Sequence, residues 1–268
     1  MKKVFSIGVV LGAVVNPLWV TGLHAGAMGP IGTEHQWTGF YIGGNLGGKW
    51  GKLTAPVTIE TATIFGTVEG PSIQFYDVTP SSFTGGGQIG YNWQHNHWVL
   101  GGEANINGES LNDTQTVSPT QLSPGSRFVA GDILATENDV QASLLARLGY
   151  AADNWLLYGT GGVGFANVKF LTTFIPASNG VINFPGAYGS SNHRLVGGTY
   201  GAGLEYALTQ NWRMGVEGRY TDYGRRQYPL GSVAIFALSP TAFIYRPAVA
   251  DLWMRTGEVV FKINYQFA

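Results

Sequence analysis

The chain has 268 residues, 40 of them glycine and none of them cysteine, and its formal net charge is −1. Charged residues make up 12% of the chain, about half their usual share in soluble domains, while aromatic residues make up 13%. The near-zero net charge argues against a nucleic-acid-binding surface, and the lack of cysteine excludes disulfides and cysteine metal sites.

The first element along the chain is a targeting segment. A pair of lysines precedes an apolar stretch over residues 4–20, and Ala25-Gly26-Ala27 follows it. This order of charged, apolar and small residues is typical of a secretory signal peptide. We therefore predict a signal peptide over residues 1–27, a short segment over 28–36, and export from the cytoplasm. An N-terminal membrane anchor is the alternative, although the apolar run is short for a span.

From Trp37 onward, apolar and polar residues alternate in successive segments, and helical periodicity is weak. Alternation with a period of two predicts strands with two different faces. Trp98, Trp155 and Trp212 are equally spaced and each lies beside a short polar stretch, which indicates a repeated hairpin. We predict an all-β fold over residues 37–268, with eight antiparallel strands in four up-and-down pairs.

The connections between these strands alternate in length. Short connections fall at 95–97, 151–154 and 208–211, whereas long ones span roughly 51–82, 109–136, 171–193 and 225–250. Short turns on one side and long loops on the other are typical of an outer-membrane barrel with periplasmic turns and external loops. The long loops are unusually apolar, so they could contact a partner, or extend the barrel wall as hairpins that pack on one another.

One face of the predicted strands is apolar, with aromatic residues beside every short turn. Rings in these places suit the headgroup level of a membrane, so we predict an aromatic girdle there. Its members are Tyr91, Trp93, Trp98, Tyr150, Trp155, Tyr206, Trp212, Tyr265 and Phe267. The opposite girdle is predicted at Trp50, Tyr220, Tyr223 and Trp253. A soluble lipocalin-like barrel would turn the apolar face inward instead, but tryptophans beside turns favour lipid outside.

The other face carries charges of both signs, interleaved with glycine. An eight-stranded interior is just wide enough for side chains to fill, whereas open porin channels use about 16–18 strands. We therefore predict a closed lumen in which opposite charges pair, with a selective pore as the alternative. The predicted lumen network is Lys49, Glu103, Arg147, Glu205, Arg213, Glu217, Arg219, Glu258 and Lys262.

Several segments resemble one known family of bacterial envelope proteins. They are WTGFYIGGN at 37–45, GGQIGYNW at 86–93, ARLGY at 146–150, YGTGG at 158–162, GAGLEY at 201–206 and FKINYQF at 261–267. The chain resembles the small eight-stranded outer-membrane β-barrels of proteobacteria, which include porin-family surface antigens and opacity-type, OmpA-like barrels. The resemblance implies a Gram-negative outer membrane, contacts with lipid and lipopolysaccharide, and insertion by the barrel assembly machinery.

Other motifs favour no chemistry. The glycine run at 159–164 matches G-x-G-x-x-G, but neither a helix nor the acidic residue of the dinucleotide motif follows. His95 and His97 share a short turn and would give a metal only two ligands, while His193 lies alone in a predicted long loop. No general base oriented by a third group is visible. We predict no catalytic, cofactor or metal site, and no enzyme activity.

The predicted function is a mainly structural role in the envelope, with external contacts made through the long loops. Two alternatives remain open, namely a small-solute porin and a surface receptor or adhesin for haem or a host component. A monomer is expected, because closing the barrel pairs every strand edge.

Overall fold

The structure is a computed structural model that describes residues 35–59, 62–64, 67–69, 72–118, 128–178, 183–239 and 242–267. The predicted signal peptide and most of the segment 28–36 lie outside the described residues. Across the described part of the chain, eight long strands form the main sheet. They are β1 (Gly39–Ile59), β2 (Ser81–His95), β3 (Trp98–Glu109), β4 (Ile133–Ala152), β5 (Trp155–Phe174), β6 (Ala187–Ala207), β7 (Trp212–Ser239) and β8 (Ala242–Gln266).

The sheet closes into a barrel. Each strand pairs antiparallel with its neighbour in the chain, and β1 also pairs with β8 from Tyr41 opposite Gln266 to Ile59 opposite Ala248. Closure gives each long strand two hydrogen-bonded neighbours. The predicted eight-stranded, antiparallel, up-and-down barrel is therefore confirmed. Over the described ranges, the chain contains no helix that is both long and apolar enough to cross a membrane.

The two ends of the barrel differ. Tight turns join β2 to β3, β4 to β5 and β6 to β7, and Asn96 and Asp153 adopt left-handed φ angles of 52° in the first two. Asparagine and aspartate tolerate this conformation better than other non-glycine residues do. We call this the turn end, and the opposite end the hairpin end.

At the hairpin end three of the four predicted long loops are mostly strand where they are described, and 109–136 is the exception. The prediction of a long loop over 225–250 is wrong, because β7 and β8 stay paired until Ser239 opposite Ala242. The walls β1, β4, β5 and β6 also extend into the predicted loop regions. Ser72–Val78 continues the wall along β1, and Asp113–Thr116 pairs with β4. Backbone pairing of these apolar segments satisfies amides that a free loop would leave to water.

The outer surface of the barrel changes polarity along its height. On β1 the outward side chains are apolar from Phe40 to Trp50, and the next one is the exposed Lys52. A tilted strand needs about 9–11 residues to cross the hydrocarbon layer of a membrane, which this stretch provides. We call the level of Trp50 and Lys52 the rim.

The inward side chains also change polarity at the rim, from polar below it to apolar above it. Below it most of the inward side chains are polar or charged and buried, and a small apolar cluster lies at the turn end. Above it β1 points Leu53, Ala55, Val57 and Ile59 inward, where they join a buried apolar cluster that includes Tyr76. The apolar face therefore points outward where the barrel can meet lipid and inward where it meets water, as the hydrophobic effect requires.

Candidate functional site

The charged lumen is the most chemically distinctive part of the molecule. The structure places all nine residues of the predicted network inside the barrel, below the rim and buried from solvent. It adds Glu109 at the end of β3, which is buried in the same compartment. Glu109 is an even number of residues from Glu103 on the same strand, so the alternation of the strand would have placed it inside the barrel. It was missed because the predicted long loop began at residue 109.

Glu103 is the centre of the network. Its carboxylate accepts hydrogen bonds from Lys262 Nζ at 2.6 and 2.7 Å, from Arg219 Nη2 at 3.2 Å and from the Tyr41 hydroxyl at 2.7 Å. Arg147 Nη1 lies 3.8 Å from the same carboxylate. Three cations from three strands therefore converge on one acid, which ties opposite walls of the barrel together.

Glu217 shares two of these cations. It accepts hydrogen bonds from Lys262 Nζ at 2.8 Å, from Arg219 Nε at 2.7 Å and from the Tyr158 hydroxyl at 2.8 Å. Arg219 Nη1 also donates to Glu258 at 3.4 Å. Charge-assisted bonds of this kind are roughly twice as strong as neutral ones. The ion pairs lie within β7 or between β7 and β8, and the Tyr158 bond links β5 to β7, which are not neighbours.

The network continues towards both ends of the lumen. At the hairpin side, Lys49 donates to Glu109, whose other oxygen accepts from Asn138 Nδ2 at 2.7 Å. At the turn side, Arg147 Nη2 donates to Glu205 at 2.5 Å, and its guanidinium lies 3.5 Å from the centre of the Tyr158 ring.

The charges inside the lumen balance. Lys49, Arg147, Arg213, Arg219 and Lys262 face five glutamates. The acids are Glu103, Glu109, Glu205, Glu217 and Glu258. Taking ions out of water is costly and is repaid only when each finds good partners. Neutrality lets these side chains fill the lumen, while removal of any one of them leaves an unpaired buried charge.

A short strap closes the turn end of the lumen. It consists of residues 35–38, and its Trp37 is fully buried against an apolar cluster that includes Val99 and Leu156. The Trp37 amide donates to Gln94 Oε1 at 2.8 Å, and Gln266 Nε2 donates to the Thr38 carbonyl at 2.7 Å.

The strap also covers the charges beneath it. The Arg213 guanidinium lies 4.7 Å from the Tyr41 ring centre and 5.3 Å from that of Trp37. His35 packs edge-on against Trp37 at 4.8 Å, and burial, together with the charge of Arg213, lowers the pKa of His35. A neutral imidazole therefore suits this position.

The hairpin end is closed by apolar packing. Phe170, Tyr228, Leu134 and Phe174 are among the buried residues of the cluster above the rim. The Phe170 ring contacts Tyr76 at 5.5 Å and Tyr228 at 6.0 Å between centres. The charged compartment is thus enclosed between the strap and this apolar core.

The predicted girdle residues lie on the outer surface near the turn end. Seven of them are exposed, and Tyr206 and Tyr265 are half-buried by ring contacts with Trp155 and Trp212. Of the residues predicted for the opposite girdle, Trp50 and Tyr220 are exposed at the rim. Tyr223 is not, because it is buried in the apolar core. Tyr223 has the strand parity of the inward Arg219 and Thr221, so it points into the barrel, whereas Tyr220 points outward.

The described histidines His95, His97 and His193 do not come together as metal ligands. His95 stacks on Trp93 and His97 on Tyr150, so the two imidazoles of one turn point along different strands. His193 lies in β6, half-buried against the Tyr228 ring at 4.8 Å, so its predicted place in a loop is wrong. Within the described ranges no cluster of three potential metal ligands occurs.

A closed barrel with a lipid-compatible outer band and a polar interior is a transmembrane β-barrel. The chain matches the family model of the outer membrane protein beta-barrel domain over residues 18–267, and it belongs to that family. It is therefore a protein of the bacterial outer membrane.

Several known proteins resemble this chain. It is 35% identical over 199 residues to the 31 kDa outer-membrane immunogenic protein of Brucella melitensis, covering 74% of this chain and 75% of that protein. It is 27% identical over 205 residues to the 25 kDa outer-membrane immunogenic protein of Brucella abortus, covering 76% and 74%. Among solved structures, the outer membrane protein OprG from Pseudomonas aeruginosa is 10% identical with a TM-score of 0.40, covering 85% and 97%.

Proposed function

We propose that the protein is a closed, non-catalytic scaffold of the outer membrane that displays its hairpin end to the exterior. The observation that carries this proposal is the burial of the lumen charges. The side chains of Lys49, Arg147 and Lys262 are each 0% exposed. A water-filled pore would leave the charges that line it solvated, whereas these are covered by one another, by the strap and by the apolar core.

Single-channel recording tests whether the lumen is closed. The chain, refolded in detergent and inserted into a planar bilayer, is expected to give no reproducible conductance steps. The physical reason is that the interior of an eight-stranded barrel is just wide enough for its side chains to fill. A general porin refolded in the same way provides the positive control. Reproducible steps that change size when Arg219 is replaced by glutamine would make the protein a solute channel.

The exterior role is supported by side chains above the rim. Phe75 is 62% exposed and Ile73 is also exposed, both on the outer face of the Ser72–Val78 wall. Exposed apolar side chains on a rigid support are candidates for partner contacts. The relatives named above are called immunogenic, which is consistent with surface display in those proteins. A receptor or adhesin for a host component is the second candidate, supported by this same surface.

Cysteine labelling tests which end of the barrel faces outward, since the chain has no cysteine of its own. In intact cells, Phe75→Cys is expected to react with a membrane-impermeant maleimide. The matched variant Leu208→Cys replaces a 50% exposed residue in a tight turn and should react only after the cells are permeabilised. Labelling of Leu208→Cys but not Phe75→Cys in intact cells would reverse the proposed orientation.

A further inference from the structure

At the rim, the outer surface of β7, β8 and β1 has a row of aromatic residues followed by a row of charged residues. Trp50 of β1 and Tyr220 of β7 both lie opposite Gly257 of β8. A side-chain carbon added at Gly257 would fall 2.6 Å from the Trp50 indole, so the ring lies directly across the glycine backbone. This aromatic row ends the apolar band. The next outward residues in the direction of the hairpin end are Lys52, Arg255 and Asp222, which are also register partners.

A depression of about 280 Å³ opens above the aromatic row. We call it the rim patch, and its lining residues are Lys52, Thr54, Asp77, Trp253 and Arg255. Its floor includes the indole of Trp253, which two guanidinium groups approach. The Cζ atom of Arg255 lies 3.5 Å from the ring centre, and that of Arg225 lies 5.3 Å from it. Two like charges beside one ring repel each other, and a nearby anion offsets that repulsion.

The carboxylates near the rim patch already have donors. Asp222 accepts from the Gly224 amide at 2.8 Å, from Trp253 Nε1 at 3.3 Å and from Arg255 Nε at 3.2 Å. Asp77 accepts from the Thr54 hydroxyl at 3.2 Å.

The cations of the patch are less fully paired. Neither Lys52 nor Arg225 has a carboxylate within 4 Å among the described residues. Both are exposed, and Arg255 is engaged with Asp222 through its Nε atom. The lining of the patch itself has two cations, Lys52 and Arg255, and one carboxylate, Asp77, and Arg225 lies at its edge. The free donors of Lys52 and Arg225 can therefore bind an anion.

We propose that the rim patch binds the phosphate group of a lipid headgroup in the outer leaflet. The patch lies at the level where the outer surface changes from apolar to polar, which is where headgroups lie. Arginine presents several donors in a planar fork that suits phosphate oxygens, and lysine adds a mobile charge. The indole and the aromatic row below provide an apolar surface for the start of the acyl chains. This site is independent of whether the lumen conducts.

The experiment compares two probes that differ only in phosphate. Full-length protein, folded in a zwitterionic detergent, is titrated with short-chain phosphatidic acid and with the diacylglycerol of the same chains, and bound lipid is counted by native mass spectrometry. We expect phosphatidic acid to bind and diacylglycerol to bind far more weakly. Replacing Lys52, Arg225 and Arg255 together by glutamine should weaken phosphatidic acid binding on the order of a hundredfold, since each cation near a membrane surface contributes roughly 1 kcal/mol.

Two further variants keep the test decisive. Lys52→Gln alone removes an exposed side chain with no ion pair among the described residues, so the barrel should fold normally and binding should fall about fivefold. Arg194→Gln, at an exposed arginine on β6, is the matched control and should leave binding unchanged. Equal retention of phosphatidic acid by the wild type and the triple variant would overturn the site. Binding of inorganic phosphate as tight as that of phosphatidic acid would overturn the lipid assignment, whereas much weaker binding of inorganic phosphate supports a lipid headgroup.

Discussion

Glu103→Gln is expected to lower the free energy of unfolding by about 3–5 kcal/mol, the usual cost of breaking a buried ion pair. Glutamine has nearly the same shape, so packing is kept and only the charge is lost. Lys262, Arg219 and Arg147 all approach the Glu103 carboxylate, so its neutralisation leaves the lumen with one uncompensated positive charge. The measurement is urea unfolding of the barrel in lipid vesicles, followed by its heat-modifiable mobility on gels.

An exposed ion pair provides the matched control for this substitution. Glu137 pairs with Lys169 at 3.3 Å on the outer surface, and the two side chains are 46% and 41% exposed. Glu137→Gln should change the free energy of unfolding by no more than about 1 kcal/mol, because water screens such pairs. Equal effects of the two substitutions would show that the lumen charges are solvated, and would favour the porin alternative.

A double variant separates charge balance from the loss of a contact. Combining Glu103→Gln with Lys262→Gln restores neutrality in the lumen, although it also removes the hydrogen bond from Lys262 to Glu217. If uncompensated charge causes the destabilisation, the double variant should be more stable than Glu103→Gln alone, since a buried pair removed whole costs less than one that is broken. An additive loss would show that the specific contacts, rather than neutrality, stabilise the network.

Strand parity explains why the lumen could be predicted from the sequence. Every second residue of a strand points to the same side, so charges at 213, 217 and 219 had to share a face. The partners of Glu103 could not be predicted in this way, because Glu103 meets Lys262 across the barrel and not along one strand pair. Such contacts depend on strand tilt and on the width of the closed lumen.

The hairpin end could not be predicted by the same rule. Alternation continues past Trp50, but the apolar residues now sit on the inward face at Leu53 and Ala55. A sequence prediction that defines strands by outward apolar residues therefore ends each strand at the rim. It assigns the residues beyond the rim to loops. Register shifts between Asn138 and Gln141 in β4 also exchange the two faces, and they leave only a weak trace in the sequence.

Phe170→Ala is expected to cost about 3–5 kcal/mol, the range for truncating a buried aromatic residue in a packed core. Phe170 is 0% exposed and lies between Tyr76 and Tyr228 in the apolar core above the rim. Its removal leaves a cavity that rigid, hydrogen-bonded walls cannot fill. The measurement is again the urea unfolding midpoint, with amide exchange of β1 and β5 above the rim as a local readout.

Phe75 is the natural control, because it is also a phenylalanine above the rim but points to the exterior and is 62% exposed. Phe75→Ala should stay within about 0.5 kcal/mol of the wild type. Loss of exchange protection above the rim in Phe170→Ala, with the strands around Glu103 still protected, would show that the apolar core stabilises the hairpin end separately from the charged lumen. Equal, small effects of the two substitutions would mean that the hairpins do not pack on one another, and that the hairpin end of the barrel is open to water.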